Sequence, residues 1–531
     1  MVDRLNSLGR RVPAELEGRT PRPFAGAWEG SDPGASGELV RGPKARSQAA
    51  RGAPSKLLPS WDALLDRLEL RDGMTISFHH HLRDGDAVIN EALERIIARG
   101  YRDLVLAPTA LFPVHDRLLP HIRSGAIARV EGSMNGAIGA ACSAGEMRGL
   151  SVLRSHGGRC RAIESGELPI DLALIAAPCA DPFGNANGLY GKSACGPLSY
   201  PVPDSIYAER VVVITDGLVP YPCAPWSIRG GNVDWVLQVE SIGDPAKIAS
   251  GSTKLTRSPT QLLIADLAAR FAEGTGILKE GFSFQAGAGG ISLAAVASIA
   301  RKMRASGIKA SFAHGGATGI LVGLLEEGLL GSIVDLQSFD LEAVRSCREN
   351  PRHLESTPFT SYGPQGAGCA ASMLDLAILG ATEIDLDFNV NVNTHSDGRL
   401  LHGIGGHQDA AAAASCCIVT APSFRKRIPI IRERVTTVSC PGEVVDALVT
   451  ERGIAINPRR GDLLERARRA GLPVVEIGRL MEEVRAMTGV PEEPRFKDRP
   501  VAVVEWRDGT VLDIVRELEN DGGAAAQRKG E

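Results

Sequence analysis

Short, almost unbroken apolar runs alternate with segments of helical spacing along most of this chain. Leu104–Ala107, Leu172–Ala176 and Val211–Thr215 are runs of the first kind. Their residues are apolar nearly throughout rather than at every second position. That predicts strands covered on both faces, hence a parallel sheet. Met74–Phe78 predicts a further strand. Val88, Ala92 and Ile96 recur at helical spacing within Ala87–Arg99, and Gly100 closes that segment. Ser60 is placed to cap a helix over Trp61–Leu70. Phe282–Phe284, a helix Ser292–Ala305, and strands at Ala310–Phe312, Ile333–Leu336, Leu376–Leu379, Val444–Val449 and Val474–Ile477 continue the alternation.

The alternation repeats itself. Asp171, Asn185 and Asn187 recur at Asp375, Asn389 and Asn391, each 204 residues on, at the ends of similar segments. Asp72-Gly-Met-Thr-Ile-Ser and Glu280-Gly-Phe-Ser-Phe-Gln form a second pair, 208 apart. The fold class expected is α/β, with two related domains in tandem and mainly parallel sheets. We expect an N-terminal extension over residues 1–55, rich in Arg, Gly, Pro and Ser and surface-lying or partly disordered. The first domain then spans residues 56–250 and the second residues 256–495. A polar, Gly-rich linker around 243–258 joins them. A tail over 496–531 is expected to form a small hairpin about Asp508-Gly509. Two related domains place the natural site in the cleft between them.

Composition narrows the classes. The 531 residues are 44% hydrophobic and 23% charged, a globular balance, with net charge −4. No basic field exists to attract nucleic acid or an anionic membrane. No apolar run nears the ~20 residues of a membrane helix, and the Arg-rich start lacks a signal-peptide core. Ten scattered Cys without a CxxC spacing point to reduced thiols and a cytoplasmic location rather than a zinc site or disulfide framework.

Two glycine loops stand out. Gln285-Ala-Gly-Ala-Gly-Gly290 lies between a strand and a helix. Its Gly287, Gly289 and Gly290 would let backbone N–H groups approach an oxyanion or phosphate, although a tight turn alone also needs such glycines. In Gly403-Ile-Gly-Gly-His-Gln-Asp409, Gly405, Gly406, His407 and Asp409 sit at the mouth of a turn and are the candidate catalytic group. The first domain carries His79-His80-His81 where the second has glycines. Neighbouring side chains of an extended segment face opposite ways, so His79 and His81 should converge. No carboxylate or Cys completes a metal site nearby, so no metal is expected. Arg159, in Ser155-His-Gly-Gly-Arg159, suits a carboxylate or phosphate through its planar fork. Asn187 and Asn391 build the same turn twice, with ligand contact as the alternative. Glu383 and Asp385 follow a strand, where a carboxylate could act as nucleophile or be a solvated loop acid.

Nearly end to end, about residues 10–518, the chain resembles the citrate lyase alpha-subunit family. The resemblance rests on Thr75-Ile-Ser-Phe-His-His-His81, Ser155-His-Gly-Gly-Arg159, Ala162-Ile-Glu-Ser-Gly166 and Gly184-Asn-Ala-Asn-Gly188. In the second half it rests on Glu280-Gly-Phe-Ser-Phe-Gln285, Asp335-Leu-Gln-Ser-Phe-Asp340, Phe388-Asn-Val-Asn-Val392 and Gly405-Gly-His407. It implies two CoA-transferase-type domains and an acyl exchange, in which acetyl-carrier protein and citrate give citryl-carrier protein and acetate. The implied partners are a beta (lyase) subunit and a gamma (acyl-carrier) subunit bearing a phosphoribosyl-dephospho-CoA group, for which acetyl-CoA can substitute. An oligomeric complex follows from the same likeness. Related transferases that form an enzyme thioester carry a Glu where this chain reads Ala310-Ser-Phe-Ala-His-Gly-Gly316. The implied route is therefore direct attack of a citrate carboxylate on the acetyl thioester, through a mixed anhydride. A trianion would be met by Arg159, a protonated His79–His81 run and His407. The chain departs from the family pattern in having Asn135 for Arg, His314 for Leu, His395 for Gly, Gln408 for Cys and Ala410 for Thr. The acid exchanged could therefore be another, such as citramalate. A stand-alone CoA-transferase and a non-catalytic scaffold subunit are the alternatives in activity.

Overall fold

A computed structural model describes residues 3–5, 7–15, 23, 55–249, 255–364, 366 and 368–519. The apolar runs form two parallel sheets. The first has seven strands in the spatial order Leu57–Leu58, Trp235–Gln238, Arg210–Thr215, Leu172–Ala177, Thr75–Phe78, Leu104–Pro108 and Ile127–Val130. The second has eight, ordered His353–Glu355, Leu330–Ser338, Ala310–Ala317, Ser283–Ala286, Leu376–Gly380, Cys417–Thr420, Ala447–Thr450 and Gly453–Ile456. Every pairing in both sheets is parallel except the last, where Ala447–Thr450 and Gly453–Ile456 form a hairpin. Buried strands such as Leu172–Ala177, with all six residues inside, explain the absence of alternation in the sequence.

The repeat extends to hydrogen bonding. Asp171 Oδ2 accepts the Thr75 amide at 2.7 Å and Asp375 Oδ2 accepts the Ser283 amide at 2.9 Å. Each carboxylate thus ties the start of one central strand to its neighbour.

Several elements differ from the expectation. Ser60 does cap a helix, accepting from the Ala63 amide, but the helix is Trp61–Leu65. Val474–Ile477 is no strand: Val474 makes one bridge to Ile454, and the Glu476 carboxylate caps a helix over Ile477–Thr488. That cap diverts the apolar run into a helix start. The tail is a hairpin, Phe496–Glu505 with Val511–Leu518, and its first strand pairs in parallel with Ser151–Leu153. In the N-terminal segment Asp3–Leu5 pairs with Arg11–Pro13. Most of that extension, residues 250–254 of the linker and residues 520–531 of the tail lie outside the described residues. Among the described residues no helix is long and apolar enough to cross a membrane. All ten cysteines are free and buried.

Candidate functional site

The two sheets point their C-terminal strand ends at one another across a cavity of about 700 Å³. His80 and Thr109 come from strand ends of the first sheet. Gly287, Gly289, Gln337 and Thr382 come from those of the second. The helix Gly290–Ser306 begins at the cavity with Gly289 as its cap residue and no side-chain cap. Its first-turn amides are therefore directed at the space without a local acceptor side chain.

The halves are joined by hydrogen bonds between the very motifs singled out in the sequence. The His156 amide donates to Gly405 O at 3.0 Å. Ser155 Oγ and the Gly157 amide donate to the two oxygens of Asp409, at 3.0 and 2.9 Å. Gln337 Nε2 donates to His80 O at 3.0 Å, and the Gly403 amide to Ser133 Oγ at 2.7 Å. The tail closes the joint. Arg507 donates to Tyr362 O at 3.0 Å, and Gln408 donates to Glu505 O at 3.0 Å.

Of the residues proposed from sequence, His80, Arg159, Gly287, Gly289, Gly405, Gly406 and His407 line the cavity. Gly290, His79, His81, Asn187, Asn391 and Asp409 do not. The histidine run alternates as expected, but with the opposite face to the cleft: His80 faces it. His79 turns inward, its Nε2 3.3 Å from Asp204 Oδ2, and His81 is buried with neither ring nitrogen partnered. Asn187 and Asn391 are committed to turns. Their Oδ1 atoms accept the Leu189 and Asn393 amides at 3.0 Å each. Asn187 Nδ2 donates to Pro225 O, and Asn391 Nδ2 to Glu383 Oε2. Glu383 is neither exposed nor at the cavity, and takes two further bonds from Thr436.

Electrostatics alter the roles foreseen for the cations. Burial lowers the imidazoles, His156 and His407 to about 4, and His80 well below its ordinary value with help from His156 and Arg83. His79 and His81 are lowered by burial too, His81 to about 4. These rings are neutral at pH 7, contrary to the expected protonated run, because an imidazolium there would be costly to desolvate. Arg159 is held by Asp204 through two bonds of 2.9 and 2.8 Å, and also donates to Ser77 Oγ and Ala107 O. Burial opposes the Asp204 charge, but Arg159 and His79 outweigh it and keep the carboxyl ionised.

Sequence reasoning missed three other cations on the wall, of which Arg154 is paired with Glu131 and Glu505. Arg83 lies over the rings of Phe112 and Phe339, at 5.1 and 5.2 Å. Arg425 donates to Ala381 O at 2.8 Å and Thr382 O at 3.3 Å, with no carboxylate partner among the described residues. Arg83 stands two residues beyond the histidine run, a signal that was present but unused. For Arg425 the sequence held none.

Among the described residues Glu131 is the only carboxylate lining the cavity. It pairs with Arg154 at 2.6 Å and Arg129 at 2.8 Å. Burial alone would raise it, yet the two guanidiniums hold it below its ordinary value. Asp409 is pushed up to about 6 by burial. Of the positions noted as departures, Asn135 and His395 line the cavity, His314 lies beneath it, and Gln408 and Ala410 are buried.

The family model described as "Citrate lyase, alpha subunit (CitF)" matches residues 54–518. The chain is 46% identical over 468 residues to the citrate lyase alpha chain of Klebsiella pneumoniae, spanning 88% of this chain and 92% of that one. A crystal structure of an alpha subunit assigned to citrate lyase, from Streptococcus mutans and in complex with citrate, matches with TM-score 0.87 at 43% identity. That match covers 89% of this chain and 93% of the other. A malonate decarboxylase alpha subunit from Acinetobacter baumannii matches in fold alone, with TM-score 0.60 at 16% identity, over 82% of this chain and 88% of its own. The chain belongs to the citrate lyase alpha-subunit family.

Proposed function

We propose that the cavity exchanges acetyl for citryl on a carrier thioester, turning acetyl-carrier protein and citrate into citryl-carrier protein and acetate. The observation that carries this reading is the pairing of two glycine loops with a cavity wall that, among the described residues, holds no disengaged carboxylate. Glu131, the cavity acid among the described residues, is spent on two arginines. The incoming acid then supplies the nucleophile itself, and the protein's share is placement, with effective molarity in place of an activated side chain.

In the first step a citrate carboxylate oxygen bonds to the acetyl carbon and the thiolate leaves, giving a mixed anhydride. In the second the thiolate attacks the citryl carbonyl and acetate leaves. Each attack puts negative charge on a carbonyl oxygen. The Gly287 amide is spent on Ile378 O at 2.9 Å, so the backbone amides of Ala288 and Gly289 and those of the Gly405–Gly406 turn are our candidates to receive it. A preorganised donor of this kind is worth roughly 3–4 kcal/mol. Arg83 and Arg425, with His80 and His407 as neutral donors or acceptors, are the candidates to hold the acid.

The thioester is that of a gamma (acyl-carrier) subunit and its phosphoribosyl-dephospho-CoA arm, with acetyl-CoA as a substitute. A beta (lyase) subunit would consume the citryl thioester in a cytoplasmic complex. The relative from Streptococcus mutans crystallised with citrate supports the choice of acid. His395 and Asn135 on the wall keep citramalate as a second candidate.

The test is turnover of acetyl-CoA against a panel of di- and tricarboxylates. Citrate is expected to give the highest kcat/KM for acetate release. A higher value for another hydroxy acid would move the substrate. Failure of every acid with folded protein would leave the scaffold reading.

A further inference from the structure

Tyr362 ends the short helix Pro358–Tyr362, and its side chain is buried at the cavity wall. Its ring belongs to a file of rings that crosses from one domain to the other. His80, Tyr200, His156, Tyr362 and His314 follow one another with centroids 4.8, 4.6, 6.3 and 5.0 Å apart. The informative part is the direction of its hydrogen bonds. Gln285 Nε2 lies 2.9 Å from the Tyr362 hydroxyl, and an amide nitrogen only donates, so the phenol oxygen accepts. Gln285 Oε1 lies 2.8 Å from His314 Nδ1, and an amide oxygen only accepts, so that nitrogen carries the imidazole proton.

Turning the amide over would make His314 Nδ1 the acceptor. His314 Nε2, which is buried without a partner, would then hold an N–H with nothing to donate to. The arrangement as built strands only a lone pair, the milder fault. Gly315, at φ +103°, lets the Ala310–Ala317 strand pass this amide: a Cβ there would stand 3.1 Å from the Gln285 side chain.

The polarity therefore runs from His314 through Gln285 to Tyr362, and it leaves the phenol hydrogen uncommitted. The hydroxyl faces the Gly405–Gly406 turn. A Cβ on Gly406 would stand 2.6 Å from it, a physical reason for glycine at that position. We propose that Tyr362 is a further catalytic residue, donating its hydroxyl hydrogen bond to the carbonyl oxygen as an acyl thioester or anhydride is attacked. This rests on the acyl-exchange reading above. As the nucleophile's electron pair forms the new bond to carbon, the carbonyl pair moves onto oxygen, while Gln285 Nε2 keeps donating to the phenol oxygen. The phenol keeps its proton throughout, and collapse returns the pair as the leaving group departs. Burial pushes the phenol up, which suits a donor and not a base. Gln285 is a positioning residue, acting by holding the phenol's polarity.

The test uses the full-length protein with acetyl-CoA and citrate. Tyr362→Phe should lower kcat ~100-fold, as loss of one oxyanion donor does elsewhere. Both KM values should stay within twofold and the melting temperature within about two degrees. Gln285→Glu keeps the shape but reverses the polarity, since at pH 8 a carboxylate accepts the phenol hydrogen. It should match Tyr362→Phe, whereas Gln285→Met should lose at least tenfold less. Wild-type exchange with Tyr362→Phe within threefold of it overturns the role. So does Gln285→Glu as active as Gln285→Met, which covers the case of a Phe variant that fails to fold. No exchange by wild type at all removes the acyl-exchange reading, and this role with it.

Discussion

At Asp181 in the first half and Asp385 in the second, the chain makes one turn twice. Asp181 accepts the Phe183 and Asn185 amides at 2.9 and 3.2 Å and Asn185 Nδ2 at 2.7 Å. Asp385 accepts the Asp387 and Asn389 amides at 3.0 and 2.9 Å and Asn389 Nδ2 at 3.1 Å. Even the outer bond is repeated: Asn185 Oδ1 takes the Gly230 amide and Asn389 Oδ1 the Gly442 amide. At the ends of Thr75–Phe78 and Ser283–Ala286 the halves part. One continues into three buried histidines and the other into Gly287-Ala-Gly-Gly290. Where the halves agree they build turns away from the cavity; where they differ they line it. A motif repeated across a duplication thus reports folding. A loop that has lost its twin is the better place to look for chemistry, and Asn187 and Asn391 belong to the first kind.

The sharpest break of that contrast is Gly406→Val. Its branches would meet the Tyr362 hydroxyl and fill the turn. Exchange should fall more than ~100-fold while circular dichroism stays native, the scale of a lost oxyanion site. Near-normal turnover would remove the turn from the site.

Asp409 tests the joint between the halves rather than the wall. Its pKa of about 6 lies above that of an unfolded Asp, so the folded protein binds the proton more readily. Stability therefore falls as pH rises from about 4 to about 6, and the loss is complete above that. Asp409→Asn cannot titrate. Its stability relative to wild type should rise by up to about 3 kcal/mol between pH 4 and pH 7. Denaturant midpoints at several pH values measure this, and parallel profiles would contradict it.

Within the histidine loop the prediction divides by face. His80→Ala should raise the KM for the acid about tenfold, the scale of one lost hydrogen bond, with melting nearly unchanged. His79→Ala should leave both KM values alone and cost about 1–3 kcal/mol of stability, since it strips a partner from buried Asp204. The reverse pattern would put His79 at the site.

These cases also mark how far the sequence could be read. Most strand positions, though not Val474–Ile477, were legible, as were the duplication and both glycine loops, because burial on two faces and a strand-to-helix turn leave local signatures. Alternation in the histidine run was legible as well. Which face met the cleft was not, because parity is local and the location of the cleft is tertiary. Asp409, read as a group at the mouth, points the other way, toward Ser155 and Gly157 some 250 residues earlier. Arg425, Tyr362 and the docking of the tail hairpin on Ser151–Leu153 are of the same kind, contacts between distant segments with no local mark.

The central claim is that the cavity supplies placement and the acid supplies the nucleophile. One measurement addresses it directly: a single turnover of acetyl-CoA with citrate labelled with oxygen-18 in its carboxylates, reading the mass of the acetate released. Direct attack predicts acetate carrying one labelled oxygen in the first turnover, with none left on the protein. Unlabelled acetate in that turnover, with the label retained on a protein carboxylate, would contradict the account.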